Sequence, residues 1–165
     1  MADNIITMAD KQDHTVRHAA ISNKKARFNY DILETCEAGL ILVGSEVKSL
    51  RAGQASIEEA YVRFIEEKPW LIGATISPYE KAHQENHDPD RPRKLLMHQR
   101  EIHRWLGKVK EKGLTIVPLK LYFGPRGFAK IQVALAKGKA MHDKRKQIRD
   151  RDMRRDLDRQ MRKYK

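Results

Sequence analysis

The residues able to do covalent or metal chemistry are few, and none is grouped as such chemistry requires. His83 and His87 stand four apart, a spacing found among ligands on some zinc-binding helices. Their segment is polar, is flanked by Pro78 and Pro89 and offers no third ligand, so we expect a solvated loop and assign no metal. His98 and His103 are five apart on a helical stretch and so face different ways. There is no Gly-x-Ser-x-Gly elbow and no phosphate-cradling glycine run ending in Lys-Ser or Lys-Thr. Glu58-Glu59 and Glu66-Glu67 are adjacent pairs, and neighbours on a strand or helix point apart, which excludes shared acid–base work. Cys36 sits in an alternating apolar stretch and reads as a small core residue rather than a nucleophile. No catalytic residue and no cofactor is expected.

Charge points elsewhere. The 165 residues carry 34 Lys or Arg against 22 Asp or Glu, a net +12. Such a bias attracts polyanions: nucleic acid, an anionic membrane surface or acidic proteins. Basic clusters fall at Asn23-Lys24-Lys25-Ala26-Arg27, at Lys48 with Arg51, and at Arg91, Arg93 and Lys94. Each alone could be a solvated face. The strongest asymmetry is at the end of the chain, where residues 137–165 hold 13 Lys or Arg and 5 Asp, net +8, two-thirds of the total. Arg126-Gly127-Phe128-Ala129-Lys130-Ile131-Gln132-Val133 begins like the base-stacking strand of RNA-recognition motifs. Lys130 and Val133 then stand where that motif has aromatics, so the match reads as a hairpin strand whose Lys130 could meet phosphate. No run of about 18 apolar residues exists, which excludes a spanning helix. With one cysteine and no secretory pattern in Met1-Ala2-Asp3-Asn4, a reducing cytoplasm is the expected location.

Behind these residues stand elements that must position them. Residues 1–20 lack periodicity and read as a flexible arm. Tyr30 to Val43 alternates as a long strand, with Gly39 suited to a bulge or bend. Ser45 to Ala52 reads as a short helix capped by Ser45 and ended by Gly53, with Lys48 and Arg51 on one face. Tyr61–Glu66 and Trp70–Ile76 form a hairpin around Glu67-Lys68-Pro69. Leu95, Gln99, Ile102, Leu106 and Val109 recur at helical spacing up to Gly113. Leu114–Phe123 and Phe128–Leu135 make a second hairpin, with Pro118 at an edge or bulge. These predict a mainly β fold: a small antiparallel barrel of the oligonucleotide-binding type over residues 21–136, with two to three flanking helices and a basic C-terminal tail. An α+β sandwich uses the same elements. In the tail, Met153, Leu157, Met161 and Tyr164 form a narrow apolar stripe if helical, so residues 137–165 are expected to be disordered alone and helical on a binding surface.

Several ordered blocks resemble the SsrA-binding (SmpB) family over residues 21–165. They are Asn23-Lys24-Lys25-Ala26-Arg27 with Tyr30, Glu37-Ala38-Gly39, and Gly44-Ser45-Glu46-Val47-Lys48-Ser49-Leu50-Arg51-Ala52-Gly53. Arg93-Lys94-Leu95-Leu96-Met97 with Gln99-Arg100-Glu101-Ile102, Ala136-Lys137-Gly138-Lys139 and His142-Asp143-Lys144-Arg145 complete the set. The resemblance implies an adaptor of trans-translation, not an enzyme. It would bind the tRNA-like domain of tmRNA near its elbow, reach stalled ribosomes with elongation factor Tu and alanylated tmRNA, and place its tail in the decoding centre against small-subunit rRNA. Asn23, Glu37, Met97 and Lys130 then match tmRNA-facing positions, Met97 standing where Leu is usual. Lys24, Lys48 and Arg51 join them by charge and placement. Lys137, Gly138, Lys139, His142, Asp143, Lys144 and Arg145 match the ribosome-active tail motif. Phe28 replaces a frequent His, and Ala140 stands where Lys is common. Without the resemblance, the residues fit a generic ribosome-associated RNA-binding barrel equally well; an RNA nuclease or modifying enzyme is a third reading.

Overall fold

A computed structural model describes residues 20–82 and 86–163. The arm expected over residues 1–20 lies, except for Ala20, outside the described residues, as does His83. In chain order the elements are β1 (Ile21–Ser22), α1 (Ala26–Asn29), β2 (Tyr30–Leu40), α2 (Gly44–Arg51), β3 (Ala55–Ser56), β4 (Tyr61–Ile65) and β5 (Lys68–Ile72). They continue with β6 (Thr75–Ile76), β7 (Arg93–Leu96), α3 (Gln99–Lys112), β8 (Thr115–Phe123), β9 (Ala129–Gly138) and α4 (Met141–Lys163).

Strands β8, β4, β5, β7, β2 and β9 pair antiparallel in that order, and β9 pairs back onto β8. The ring is therefore closed, which settles barrel over sandwich. Closure leaves few edge groups unpaired; β1 adds to β8, while β3 and β6 form a separate ribbon. Alternation along each strand sends Val62, Leu71, Leu95, Ile116, Leu121, Ile131, Val133 and Leu135 inward, all 6% exposed or less. Each such burial stabilises by roughly 1.5–3 kcal/mol. Helix α3 contributes Ile102 and a fully buried Trp105. It is held to β2 by Glu34, which accepts from the Trp105 indole N–H at 3.2 Å and pairs with Arg104 at 3.2 Å and with Lys108.

A second, smaller core lies outside the ring, where Ala26 of α1 packs with Val117, Leu119, Ala134 and Ala136. Leu119 and Leu121 have the same parity yet join different cores. The register shift between Pro118 and Lys120 explains this, because one extra residue flips the side-chain alternation. Pro118 therefore sits at a bulge, as its missing N–H predicts. The flip also turns Lys120 and Tyr122 to the outer surface.

Four local expectations need correction. The shift in β2 falls between Ile32 and Glu34, not at Gly39. Gly39 lies within the ladder, where a Cβ would come 3.3 Å from the Leu96 Cβ. Leu95 belongs to strand β7, and α3 begins only at Gln99, after the extended His98. The first hairpin turns at Glu66 and Glu67, both with positive φ (49° and 59°), while Pro69 lies inside β5 opposite Phe64. Ser45 does not cap α2; the Glu46 carboxylate accepts the Val43 N–H at 2.8 Å instead, and the Ser45 hydroxyl meets His87 Nδ1 at 2.9 Å.

Candidate nucleic-acid interface

The outer face of β2, β8 and β9 brings the strongest candidates together. Register places Lys120 opposite Gln132 and Gln132 opposite Glu37; one step along, Tyr122 faces Lys130, and Lys130 faces Gly39. All five side chains point away from the barrel core, because Cys36, Ala38, Leu121 and Ile131 between them point in. Glu37 takes an ion pair from the Lys130 ammonium and a hydrogen bond from the Tyr122 hydroxyl. Both partners hold the Glu37 carboxyl below the usual carboxylate range, Lys130 contributing most. Burial, then the facing Glu37, pushes the Tyr122 phenol up to about 12, so it remains a donor at neutral pH. The Lys120 ammonium stands 5.6 Å from the Tyr122 ring centroid.

This cluster is half exposed, with side-chain exposures of 48% for Glu37 and 37% for Lys130. It offers an ionised acceptor, a phenol donor and two ammonium groups in fixed positions. A carboxylate repels phosphate but accepts from base amines and ribose hydroxyls. Lysines beside it can meet the flanking phosphates. The arrangement can thus distinguish a folded RNA surface from a bare line of negative charge.

The other expected positions distribute around it. Arg51 of α2 is exposed and lies over the Phe123 ring at 5.5 Å, which joins α2 to the same hairpin. Lys48, also exposed, stands 5.2 Å from the Tyr79 ring centroid. Lys24 is exposed in the turn after β1, two residues beyond Ser22, the partner of Lys120. Met97 follows Leu96, which lies over Gly39, and its side chain packs partly against the main core. Asn23 does not face solvent. It is 6% exposed, its amide donates to the Ile57 carbonyl at 3.0 Å, and its side-chain oxygen accepts the Ala26 N–H at 2.9 Å. Asn23, expected at the RNA face, instead ties α1 to the Ile57 loop.

The basic cluster at Arg91, Arg93 and Lys94 also resolves differently from a solvated or RNA-facing patch. Arg93 and Glu46 are both fully buried and paired at 2.9 Å, and Arg91 donates to the same carboxylate at 2.5 and 2.8 Å. His87, the one described member of the histidine pair, engages Ser45 Oγ at 2.9 Å and the Ile76 carbonyl at 3.0 Å. The described residues contain no cluster of three His, Cys, Asp or Glu fit for a metal. Sequence reading missed Lys120, Tyr122 and Gln132. Counting outward from Arg126 would have found them, since the β8–β9 partners Tyr122 and Lys130, and Lys120 and Gln132, lie equidistant from it.

At the C-terminal side, β9 runs two residues past the expected boundary. Lys137 and Gly138 pair with Asp31 and Tyr30. Lys139 is tied to α1: its N–H donates to the Asn29 carbonyl at 3.0 Å and its ammonium to the Arg27 carbonyl at 2.9 Å. The 23 residues of α4 follow, with Asp143 and Arg145 exposed and Lys144 half-buried. His142 lies in its first turn. Met153, Leu157 and Met161 are 61%, 58% and 72% exposed along it, and Arg151 reaches back to the Phe28 ring at 5.9 Å.

A closed antiparallel barrel with a mixed cationic and aromatic outer row, extended by a strongly basic helix, defines a polyanion-binding barrel protein. The profile of the SmpB protein family matches residues 20–163, and the chain belongs to that family. It is 53% identical over 140 residues to the SsrA-binding protein of Desulforamulus reducens, covering 85% of this chain and 87% of that one. It is 49% identical over 155 residues to the SsrA-binding protein of Bradyrhizobium diazoefficiens, covering 94% and 98%. A solved chain from "tmRNA-SmpB: a journey to the center of the bacterial ribosome" superimposes with a TM-score of 0.62 at 51% identity, covering 74% of this chain and 85% of that chain.

Proposed function

We propose that this chain is the tmRNA-binding adaptor of trans-translation: its barrel grips the tRNA-like domain of tmRNA, and its tail works in the decoding centre of a stalled ribosome. The observation that carries the reading is the Glu37–Tyr122–Lys130 cluster, a preformed acceptor-and-cation site on the barrel of a chain belonging to the SmpB family. Lys24, Lys48, Arg51 and Met97 extend this RNA face, and Asn23 supports it from within. The residues of α4 bearing Asp143, Lys144 and Arg145, together with His142, contact small-subunit rRNA. Lys137, Gly138 and Lys139 fix where that helix leaves the barrel. The chain acts by binding and positioning rather than by catalysis, and meets elongation factor Tu through alanylated tmRNA. No described helix is long and apolar enough to cross a membrane, and the ribosome places the work in the cytoplasm.

The test is competition binding at physiological salt, with the tmRNA tRNA-like domain against an ordinary tRNA and a duplex RNA. We expect clear preference for the tRNA-like domain, weakened in Glu37→Ala and Lys130→Ala with circular dichroism unchanged. Equal affinity for all three RNAs rejects the reading in favour of a generic RNA-binding barrel. Metal-dependent turnover of the RNA would make the chain an enzyme instead.

A further inference from the structure

The hairpin between β8 and β9 ends in an exposed aromatic ring that neither core explains. Phe128 is 67% exposed, the most exposed Phe, Tyr or Trp among the described residues. Turn tips are ordinarily built from small and polar residues, and an exposed ring there gains nothing from the fold.

The tip is held rigidly. The Gly124 N–H donates to the Phe128 carbonyl at 2.9 Å, and the Gly127 N–H to the Gly124 carbonyl at 2.9 Å. Gly127 takes a left-handed φ of 77°, which a side chain rarely adopts. The Lys130 stem crosses Gly124 so closely that a Cβ there would lie 3.1 Å from Lys130 Cδ and Cε. The backbone at Phe128 is therefore set before binding, and only the rotamer of the ring is left to order. Its parity matches Lys130, with buried Ala129 between them, so ring and ammonium share the outer face two residues apart. Arg126 is exposed on the other side of Gly127.

We propose that Phe128 is a stacking platform for one unpaired, extruded base of the RNA held by the Glu37–Tyr122–Lys130 face, with Arg126 meeting the phosphate beside that nucleotide. The inference rests on the tmRNA reading above and deepens it. Two observations favour a nucleobase over an apolar protein side chain. Cations flank the ring on both sides, and it continues the row that already carries the RNA candidates. Single-stranded bases stack on aromatic rings wherever the backbone lets them splay out, and hold there without regard to base identity.

The experiment measures affinity of the full chain for the tRNA-like domain, using 2-aminopurine placed in turn at each unpaired position. Wild type, Phe128→Leu, Phe128→Trp and Phe128→Ala are compared, with thermal midpoints as the check on folding. The wild type is expected to quench one probe position. Phe128→Trp keeps that quench and the affinity; Phe128→Leu and Phe128→Ala lose the quench and on the order of 10-fold in affinity, with midpoints unchanged. If Phe128→Leu binds and quenches like wild type, the platform is wrong and the tmRNA reading stands. If Phe128→Leu loses ribosome association while its RNA affinity holds, the ring serves a different partner and the proposal is overturned. A wild type indifferent to the tRNA-like domain defeats the tmRNA reading itself.

Discussion

Glu46 is a carboxylate with no exposure to water, and two guanidinium groups keep it ionised. Burial alone would raise its pKa; hydrogen bonds from Arg91, the Val43 N–H and Arg93 outweigh burial and hold it below the usual range. The knot joins the start of α2 to β7, so it fixes the helix that carries Lys48 and Arg51. Removing Glu46 leaves Arg93 buried without its counter-charge. We expect Glu46→Ala to cost ~3–5 kcal/mol, read as a lower urea midpoint, whereas Lys94→Ala beside Arg93 changes little. Because the folded pKa of Glu46 is depressed, its stabilisation is complete above the unfolded carboxylate pKa and is lost as pH falls through the folded value. Acid titration of Glu46→Gln should therefore show a shallower loss of stability below about pH 4 than wild type. Cys36 is the opposite case: burial, reinforced by Glu101, pushes its thiol up to about 12. Since the thiolate is the reactive form, iodoacetamide at pH 8 should label it slowly in the folded chain and quickly in urea. The core placement of Cys36 was legible from alternation. The role of Arg93 was not, because its partner lies 47 residues away and a basic cluster looks alike whether solvated or paired.

At the scale of elements, the joint between barrel and tail is set by β9 and α1. Composition changes after Leu135, but the ladder continues through Gly138 because backbone pairing with Tyr30 and Asp31 is indifferent to side-chain charge. The tail motif puts Lys139 among the ribosome contacts, yet its side chain is 8% exposed and meets Asp31 at 3.5 Å as well as the Arg27 carbonyl. We propose that it instead positions α4, setting the direction in which the helix departs. Lys139→Met should therefore leave tRNA-like-domain affinity within about two-fold and lower tagging on stalled ribosomes, with Lys139→Arg restoring part of it. Equal loss of affinity and tagging would make Lys139 a general structural residue instead. The same scale shows why strands were easier to read than their ends. Leu95 fits the helical spacing of Gln99 and Ile102 by coincidence of phase, although it is buried in the sheet. Glu66 and Glu67 adopt left-handed φ without the glycine or asparagine that would have marked the turn.

For the whole molecule, half of the net charge lies in the tail beyond Lys139, and the proposed function gives barrel and tail separate RNA partners. The division predicts how salt should act. Deleting residues 140–165 removes 11 Lys or Arg and 5 Asp, half of the net +12. The cut spares Lys139, and with it the β9–α1 joint, which a cut at Gly138 would open. Each phosphate neutralised adds about 0.7–0.9 to the slope of log affinity against log salt. If the tail meets the ribosome and not the tRNA-like domain, truncation leaves both the affinity and the salt slope for that RNA nearly unchanged. Its slope on unrelated duplex RNA, which takes cations wherever they are, should flatten by several units. Tagging should disappear with the tail while tmRNA still associates. A truncated chain whose slope falls equally on both RNAs would show that helix and barrel act as one cationic surface, and the two-site division would fail.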